Sequence, residues 1–376
     1  MVPKIAIVAG EPSGDLIASQ IMTDLKKFNK NIEFVGVGGP KMQQQGLVSF
    51  FDYSILSIMG IIDVLKNLKT LYLSRKRLIS FLINEKPNIF IGIDAPDFNF
   101  HIENKLKKSG TRVFHLISPS VWAWRKNRIY YIKKVMHHLF CVFPHEPAIY
   151  KKINHSASYV GHTLATKIPL KPNVEKSRSL LKINAKRKII GLLPGSRSHE
   201  IHYLLDLMLN SAELICKKID CDFLISASNK TNYEKIKNLL VKYKILNIRI
   251  IIGHSHDLIN SSDMLICASG TVTLEVALFK KPMIITYKSS WIEFQVYKMV
   301  RLIKFVGLPN ILLNKSIVPE FLQDNLSAEI LANKTLEIIN DKKYMNSIRT
   351  EFTLLHKSLK RETSKLIYQK LKPYLI

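Results

Sequence analysis

Leu192-Leu193-Pro194-Gly195-Ser196-Arg197 and Ala268-Ser269-Gly270-Thr271, the latter followed by Glu275, decide how this chain is read. Each closes an apolar, strand-like run, breaks at small residues and leads into a helical pattern. That is how backbone N–H groups at a helix start are presented to a phosphate. With a helix beginning near Thr271, Glu275 lies one turn further along the same face, close to the ribose hydroxyls of a bound nucleotide. A capping box is the structural alternative, but its acid stands three residues after the cap and here the spacing is four. Arg197 follows the Pro-Gly-Ser turn directly. It sets a planar five-donor cation where a diphosphate would sit, unless it simply faces solvent. The two turns together read as a nucleoside-diphosphate site.

Strand-like runs at 5–9, 34–37, 89–93 and 113–117 alternate with helical patterns, and the rhythm returns at 189–193, 222–226, 248–252, 264–267 and 283–287. The expected fold class is therefore α/β, with two doubly wound, Rossmann-like domains built on parallel sheets. The expected boundaries are a first domain at 1–165, a polar, Pro-containing linker at 166–186, a second domain at 187–340 and C-terminal helices at 341–376. After Pro319 the pattern is helical to the end, with a basic tail from Lys357 to Lys372. Ligands of such sheets lie beyond the carboxyl ends of the strands, so a cleft between the domains is the expected site.

Composition narrows the function classes. A chain of 376 residues exceeds one ordinary core, and no run approaches 18 apolar residues, so two domains and no transmembrane helix are expected. The apolar start, Ile5 to Ala9, is shorter than a secretory core and reads as a first strand. Cys141, Cys216, Cys221 and Cys267 form neither a CxxC motif nor a disulfide framework, which suits a reducing cytosol. The close pairs His199/His202 and His254/His256 match no metal-ligand motif, and no metal is expected. The formal net charge of +27 predicts anionic partners: nucleic acid, acidic membrane or a phosphorylated substrate. Much of it is Lys in a chain also rich in Ile and Asn, so compositional bias accounts for part. No basic-aromatic RNA motif, helix-turn-helix signal or zinc-finger spacing accompanies it, and nucleic acid is not expected.

The first half carries its own candidates. Gly10-Glu11-Pro12-Ser13-Gly14-Asp15 after the first strand is not GxGxxG, so a nicotinamide or flavin fingerprint is unsupported. Glu11, Ser13 and Gly14 nevertheless form a polar turn at a helix start, able to hold a phosphate or sugar or to serve only as a turn. The run 89–93 ends in Asp94-Ala95-Pro96-Asp97, where Asp94 at a strand's carboxyl end is a candidate general base for a hydroxyl nucleophile. Asp97 is either a second acid or a helix cap, and the spacing is not the DxD of a metal-bound nucleotide. In Ser118-Pro119-Ser120-Val121-Trp122-Ala123-Trp124-Arg125, Trp122 and Trp124 either stack on a ligand or pack the core. Two stretches interleave basic and apolar residues: 58–81, with Lys66, Lys69, Arg75, Lys76 and Arg77, and 291–305, with Lys298, Arg301 and Lys304. Such patterns suit docking at a membrane interface or an acyl chain, or an ordinary amphipathic helix with a solvated face.

These residues resemble the lipid-A-disaccharide synthase family, membrane-associated glycosyltransferases of Gram-negative bacteria. The resemblance runs in order through 9–15, 34–40, 91–99, 118–125, Gly161-His162-Thr163, 192–197, 268–275 and Leu308-Pro309-Asn310. It implies a GT-B fold and inverting transfer of 2,3-diacylglucosamine from its UDP-activated form to 2,3-diacylglucosamine 1-phosphate, giving a β-1,6 disaccharide 1-phosphate and UDP. It further implies that Asp94 and Arg197 are required for activity, and that Gly195, Ser196, Ser269, Gly270, Thr271, Glu275 and Asn310 line the UDP side. Glu11, Ser13, Gly14, Trp122 and Trp124 fall to the acceptor side. A location on the cytoplasmic face of the inner membrane, an anionic membrane partner and a homodimer with exchanged C-terminal segments belong to the same implication. No cofactor is required, because Arg and backbone donors stand where a metal would. Pro12 and Gly307 depart from the family's commoner residues, and Gly307 is expected to loosen the loop that positions Asn310. A UDP-sugar 2-epimerase shares the plan but acts on a soluble sugar. The basic, apolar segments favour the lipid substrate.

Overall fold

The computed structural model describes residues 2–56, 61–183, 187–243 and 247–375. The chain folds into two compact units, one of residues 1–166 with 359–376 and one of residues 167–358. In the first, β1 (Lys4–Ala9), β2 (Glu33–Val37), β3 (Val48–Ser49), β4 (Ile89–Ile93), β5 (Arg112–Leu116), β6 (His138–Cys141) and β7 (Ala157–Tyr159) form a sheet in the order β3-β2-β1-β4-β5-β6-β7. In the second, β8 (Lys188–Leu193), β9 (Cys221–Ala227), β10 (Ile248–Ile252), β11 (Met264–Ala268), β12 (Met283–Tyr287) and β13 (Glu320–Leu322) follow the order β10-β9-β8-β11-β12-β13. Every strand pairing is parallel.

Parallel strands covered by helices on both faces are apolar at every position, which explains the uninterrupted runs. Ile5 to Ala9 in β1 and Met264 to Cys267 in β11 are fully buried. Each core lies between sheet and helices: Leu78, Leu82, Phe90, Ile102 and Val113 pack together in the first unit, and Leu204, Met208, Phe223, Ile266 and Leu331 in the second. Winding outward from a central strand in both directions puts the first strand of each unit beside a later one, β1 against β4 and β8 against β11. At those two places the connections leave in opposite directions and open a crevice at the strands' carboxyl ends.

Three expectations are corrected. The stretch 166–186 is no bare linker, because the helix Val174–Leu180 is tied into the second unit. Ser177 Oγ donates to Asp257 at 2.9 Å, Arg178 pairs with Asp263 at 2.9 Å, and the Asn260 amide donates to the Asn173 carbonyl at 2.8 Å. Residues 341–376 are not one terminal piece. The helix Lys342–Leu359 lies almost wholly in the second unit, and the helix Thr363–Leu371 belongs to the first, where Tyr368 stacks on Phe28 and Ser364 donates to Asp24. The pattern after Pro319 is not purely helical either, since Glu320–Leu322 adds β13 to the sheet edge. Among the described residues no helix is long and apolar enough to cross a membrane.

Candidate active site

The two turns that dominate the sequence stand at the carboxyl ends of β8 and β11, neighbouring strands at the point where the second sheet's winding reverses. Their local chemistry differs. Gly195 has φ +108°, a backbone that L side chains rarely adopt, and a Cβ there would collide with the Glu200 carboxylate. Glu200, in the first turn of the helix Ser198–Cys216, accepts hydrogen bonds from Ser196 N at 3.0 Å, Arg197 N at 3.1 Å and Arg197 Nη1 at 3.2 Å. The backbone donors of Ser196 and Arg197 are therefore held by a carboxylate of the chain itself. What this turn offers outward is the Arg197 guanidinium, whose side chain is 47% exposed.

The second turn keeps its helix start open. The helix Thr271–Leu278 begins after Gly270, whose φ of +148° again requires glycine and whose Cβ direction meets nothing within 4 Å. Its cap carries no side-chain hydrogen bond, which agrees with the four-residue spacing of Thr271 and Glu275. Ser269 is engaged within the fold, its N–H donating to Thr286 O at 2.8 Å and its hydroxyl to Val306 O at 3.0 Å. Glu275 lies one turn into the helix and is half-buried, with His256 Nε2 3.2 Å from its carboxylate. His256, in the sequence only half of a close histidine pair, comes from the helix Ser255–Ser261 and packs edge-on to Phe279.

Asn310, expected on the UDP side, is tied into the fold. It is fully buried, and its amide is committed on both sides: Nδ2 donates to Val318 O and to Glu320 at 2.8 Å each, while Oδ1 accepts from Ile317 N at 2.9 Å and Val318 N at 3.0 Å. It braces the chain entering β13. The loop before it is tight. Glu320 accepts from Val306 N and Gly307 N at 2.9 Å each, and a Cβ at position 307 would collide with Ile285, so glycine fits the loop closely.

In the first unit, the turn after β1 and the turn after β4 meet at that sheet's reversal point, with a Cβ at Gly10 coming within 3.1 Å of the Ala95 Cβ. Asp94 and Ala95 have φ of +51° and +43°, two successive residues in the left-handed region at a cost of order 1 kcal/mol each. Asn99, fully buried in the helix Pro96–Lys108, holds this turn through its amide, donating to Asp94 O at 2.9 Å and to Ile93 O and Val8 O at 3.4 Å. Burial raises the Asp94 carboxyl above the usual carboxylate range, a larger effect than the opposing pull of His115 and of the Ala95 N–H. A raised carboxylate is the better proton acceptor. Behind it, His115 and Glu103 form a wholly buried pair at 2.6 Å.

Asp97 is not the helix cap. Ala95 occupies that position, and Asp97 is exposed in the first turn, paired with Arg128. Glu11 caps the helix Pro12–Phe28 by backbone alone and Gly14 is buried beneath that turn, whereas the Ser13 side chain lies outside the described residues. Asp15 is structural, its carboxylate accepting from Lys41 N and Met42 N. The tryptophans divide: Trp122 Nε1 donates to Glu146 at 3.2 Å, while Trp124 is 38% exposed beneath Arg125, whose guanidinium lies 4.4 Å from the ring centroid. Glu146 is buried and its carboxyl is pushed up to about 8, by burial more than its four hydrogen bonds lower it.

Of the two basic, apolar stretches, residues 58–60 and the Lys66 side chain lie outside the described residues. The remainder of the helix Ile61–Glu85 buries Leu78 and Leu82 and exposes Tyr72 and Leu73 with Lys69, Lys76 and Arg77. The helix Trp291–Val300 turns apolar side chains outward. Trp291, Ile292, Val296 and Met299, then Leu302 beyond it, are all exposed, with Met299 at 84%, and Lys298, Arg301 and Lys304 each lie over an aromatic ring.

A family profile described as lipid-A-disaccharide synthetase matches residues 5–371. The lipid-A-disaccharide synthase of Methylobacillus flagellatus is 40% identical over 365 residues, 96% of each chain. The chain belongs to the lipid-A-disaccharide synthase family. Solved structures far more distant in sequence share the architecture. The UDP-GlcNAc 2-epimerase of Neisseria meningitidis bound to UDP-GlcNAc is 13% identical, with a TM-score of 0.65 over 99% of this chain and all of the other. Acinetobacter baumannii MurG is 12% identical, with a TM-score of 0.57 over 99% of both chains. The fold is thus the GT-B plan of glycosyltransferases and epimerases, and the family membership separates the two in favour of glycosyl transfer.

Proposed function

We propose that this member of the lipid-A-disaccharide synthase family transfers 2,3-diacylglucosamine from UDP to the 6-hydroxyl of 2,3-diacylglucosamine 1-phosphate, with inversion and release of UDP. What supports this reading is the chemistry found within each unit by itself: a burial-raised carboxylate after β4 in the first, and a guanidinium with an open helix start after β8 and β11 in the second. Asp94 takes the proton of the acceptor hydroxyl as its oxygen attacks the anomeric carbon from the face opposite the diphosphate. The new C–O bond forms, the bond to the diphosphate breaks, and the electron pair leaves on UDP. Arg197 and the N–H groups at Thr271 stabilise the charge that develops there, a task for which pre-oriented donors suffice. Glu275, steadied by His256, accepts hydrogen bonds from the ribose hydroxyls. Glu11, Gly14 and Trp124 border the acceptor side.

Peripheral docking follows from the exposed apolar face of the helix Trp291–Val300 and the cations beside it, which suit the anionic cytoplasmic surface of the inner membrane, where acylated substrates reside. The terminal helix Thr363–Leu371 docks on Pro12–Phe28, Tyr368 stacking on Phe28 and Ser364 donating to Asp24, and a second copy exchanging that segment would give a homodimer. The test of the reaction is direct. Protein incubated with both acyl sugars yields UDP and a disaccharide phosphate detectable by mass spectrometry. UDP release without disaccharide, or epimerised donor, overturns the reading.

A further inference from the structure

The turn 194–197 is clamped from two sides. Beneath it, the Glu200 carboxylate accepts from Ser196 N, Arg197 N and Arg197 Nη1 at 3.0, 3.1 and 3.2 Å, filling the notch left by Gly195. Above it, Asn232 of the helix Lys230–Leu240, only 2% exposed, donates its amide to Ser196 O at 2.8 Å and to Ser228 Oγ at 2.7 Å. Ser228 Oγ also donates to Ser196 O at 3.3 Å. The peptide preceding Arg197 thus has both its polar ends fixed by other side chains.

A diphosphate cannot use the Ser196 and Arg197 N–H groups without expelling a carboxylate packed into the fold. A carboxylate that binds one edge of a guanidinium leaves the other N–H donors aimed outward in a fixed fork. We infer that Glu200 and Asn232 are positioning residues for leaving-group stabilisation: they hold the 194–197 turn so that the free edge of Arg197 meets the donor diphosphate. The inference rests on the assignment of Arg197 above. It divides the work of the two turns, the first presenting one side chain and the second its backbone.

The test is a double-mutant cycle on steady-state transfer, with Arg197→Ala, Glu200→Ala and the double variant, accompanied by melting temperatures. Glu200→Gln, which keeps the side chain's shape, replaces Glu200→Ala should the latter fail to fold. Misplacement of an essential group by about 1 Å costs of order 10²-fold, so Glu200→Ala is expected to lower kcat by roughly 10- to 100-fold, and Asn232→Ala by somewhat less. Because Glu200 acts through Arg197, the double variant turns over no more slowly than Arg197→Ala alone. Fully multiplicative losses overturn the positioning role while leaving Arg197 in place. Arg197→Ala with unchanged kcat/KM removes the Arg197 assignment itself, and this inference with it.

Discussion

Asp94→Asn separates chemistry from structure at this position. The backbone there is left-handed, φ +51°, a conformation Asn adopts more readily than most residues, whereas Ala would add strain of about 1–2 kcal/mol and confuse the result. The amide is isosteric but cannot accept the acceptor's proton. Loss of a general base costs about 10²- to 10⁴-fold, or roughly 3–5 kcal/mol of barrier at 1.36 kcal/mol per decade. The structure sets the opposite sign for stability. Burial raises the folded-state carboxyl, so the fold prefers the protonated form, and the stability that goes with it is lost as pH rises through the raised value. Asp94→Asn removes that loss. The assay is therefore twofold: kcat at saturating substrates, which falls, and the melting temperature above neutrality, which rises relative to the parent and converges with it in acid. Unchanged kcat excludes Asp94 as the base, and a variant less stable than the parent across the whole pH range excludes the burial-raised carboxyl.

Glu146 gives a second pH signature. Its carboxyl is held at about 8 in the fold and in the ordinary carboxylate range when unfolded, so stability declines as pH rises between those values. Glu146→Gln flattens that slope in melting curves recorded across this range at fixed ionic strength. Asn310→Ala strands buried groups around Val318 and Glu320 and costs about 3 kcal/mol or more, read as a lower denaturant midpoint. A variant of parental stability with weakened UDP binding would show direct ligand contact instead. Trp291→Asp with Met299→Asp abolishes sedimentation with anionic vesicles at low salt and leaves neutral-vesicle behaviour unchanged; undiminished binding excludes this helix as the docking face.

Much of the fold was legible because parallel strands buried on both faces leave an unbroken apolar signature, as β1, β4, β8 and β11 do. The strands that escaped are those with little such signature. β3 has two residues, β7 and β13 three each at the sheet edges, and β6 opens with His138, which the fold buries against Ser156 and Ser158. At the candidate site, placements set by a local turn were readable: Asp94, Arg197 and Gly270 sit in turns just after strand ends, and Glu275 one helical turn further on. Roles set by distant partners were not. Glu200 carries a usable signal, an acid three residues after the helix cap, although Arg197 is not one of the usual cap residues. Asn232, His256 and Glu320 reach their partners only after the chain has folded, from 36, 19 and 10 residues away. Asn310 likewise holds the chain entering β13 through hydrogen bonds that its place in the sequence did not announce.

The stereochemistry of the product tests the central claim most directly, that Asp94-activated oxygen attacks opposite a diphosphate held by Arg197 and the Thr271 helix start. Proton NMR of the purified disaccharide reports the new anomeric centre through its coupling constant. A single β-linked product joined at the 6-hydroxyl is expected, with UDP released in equal amount. An α-linked product would mean retention and a different mechanism, and would contradict that claim.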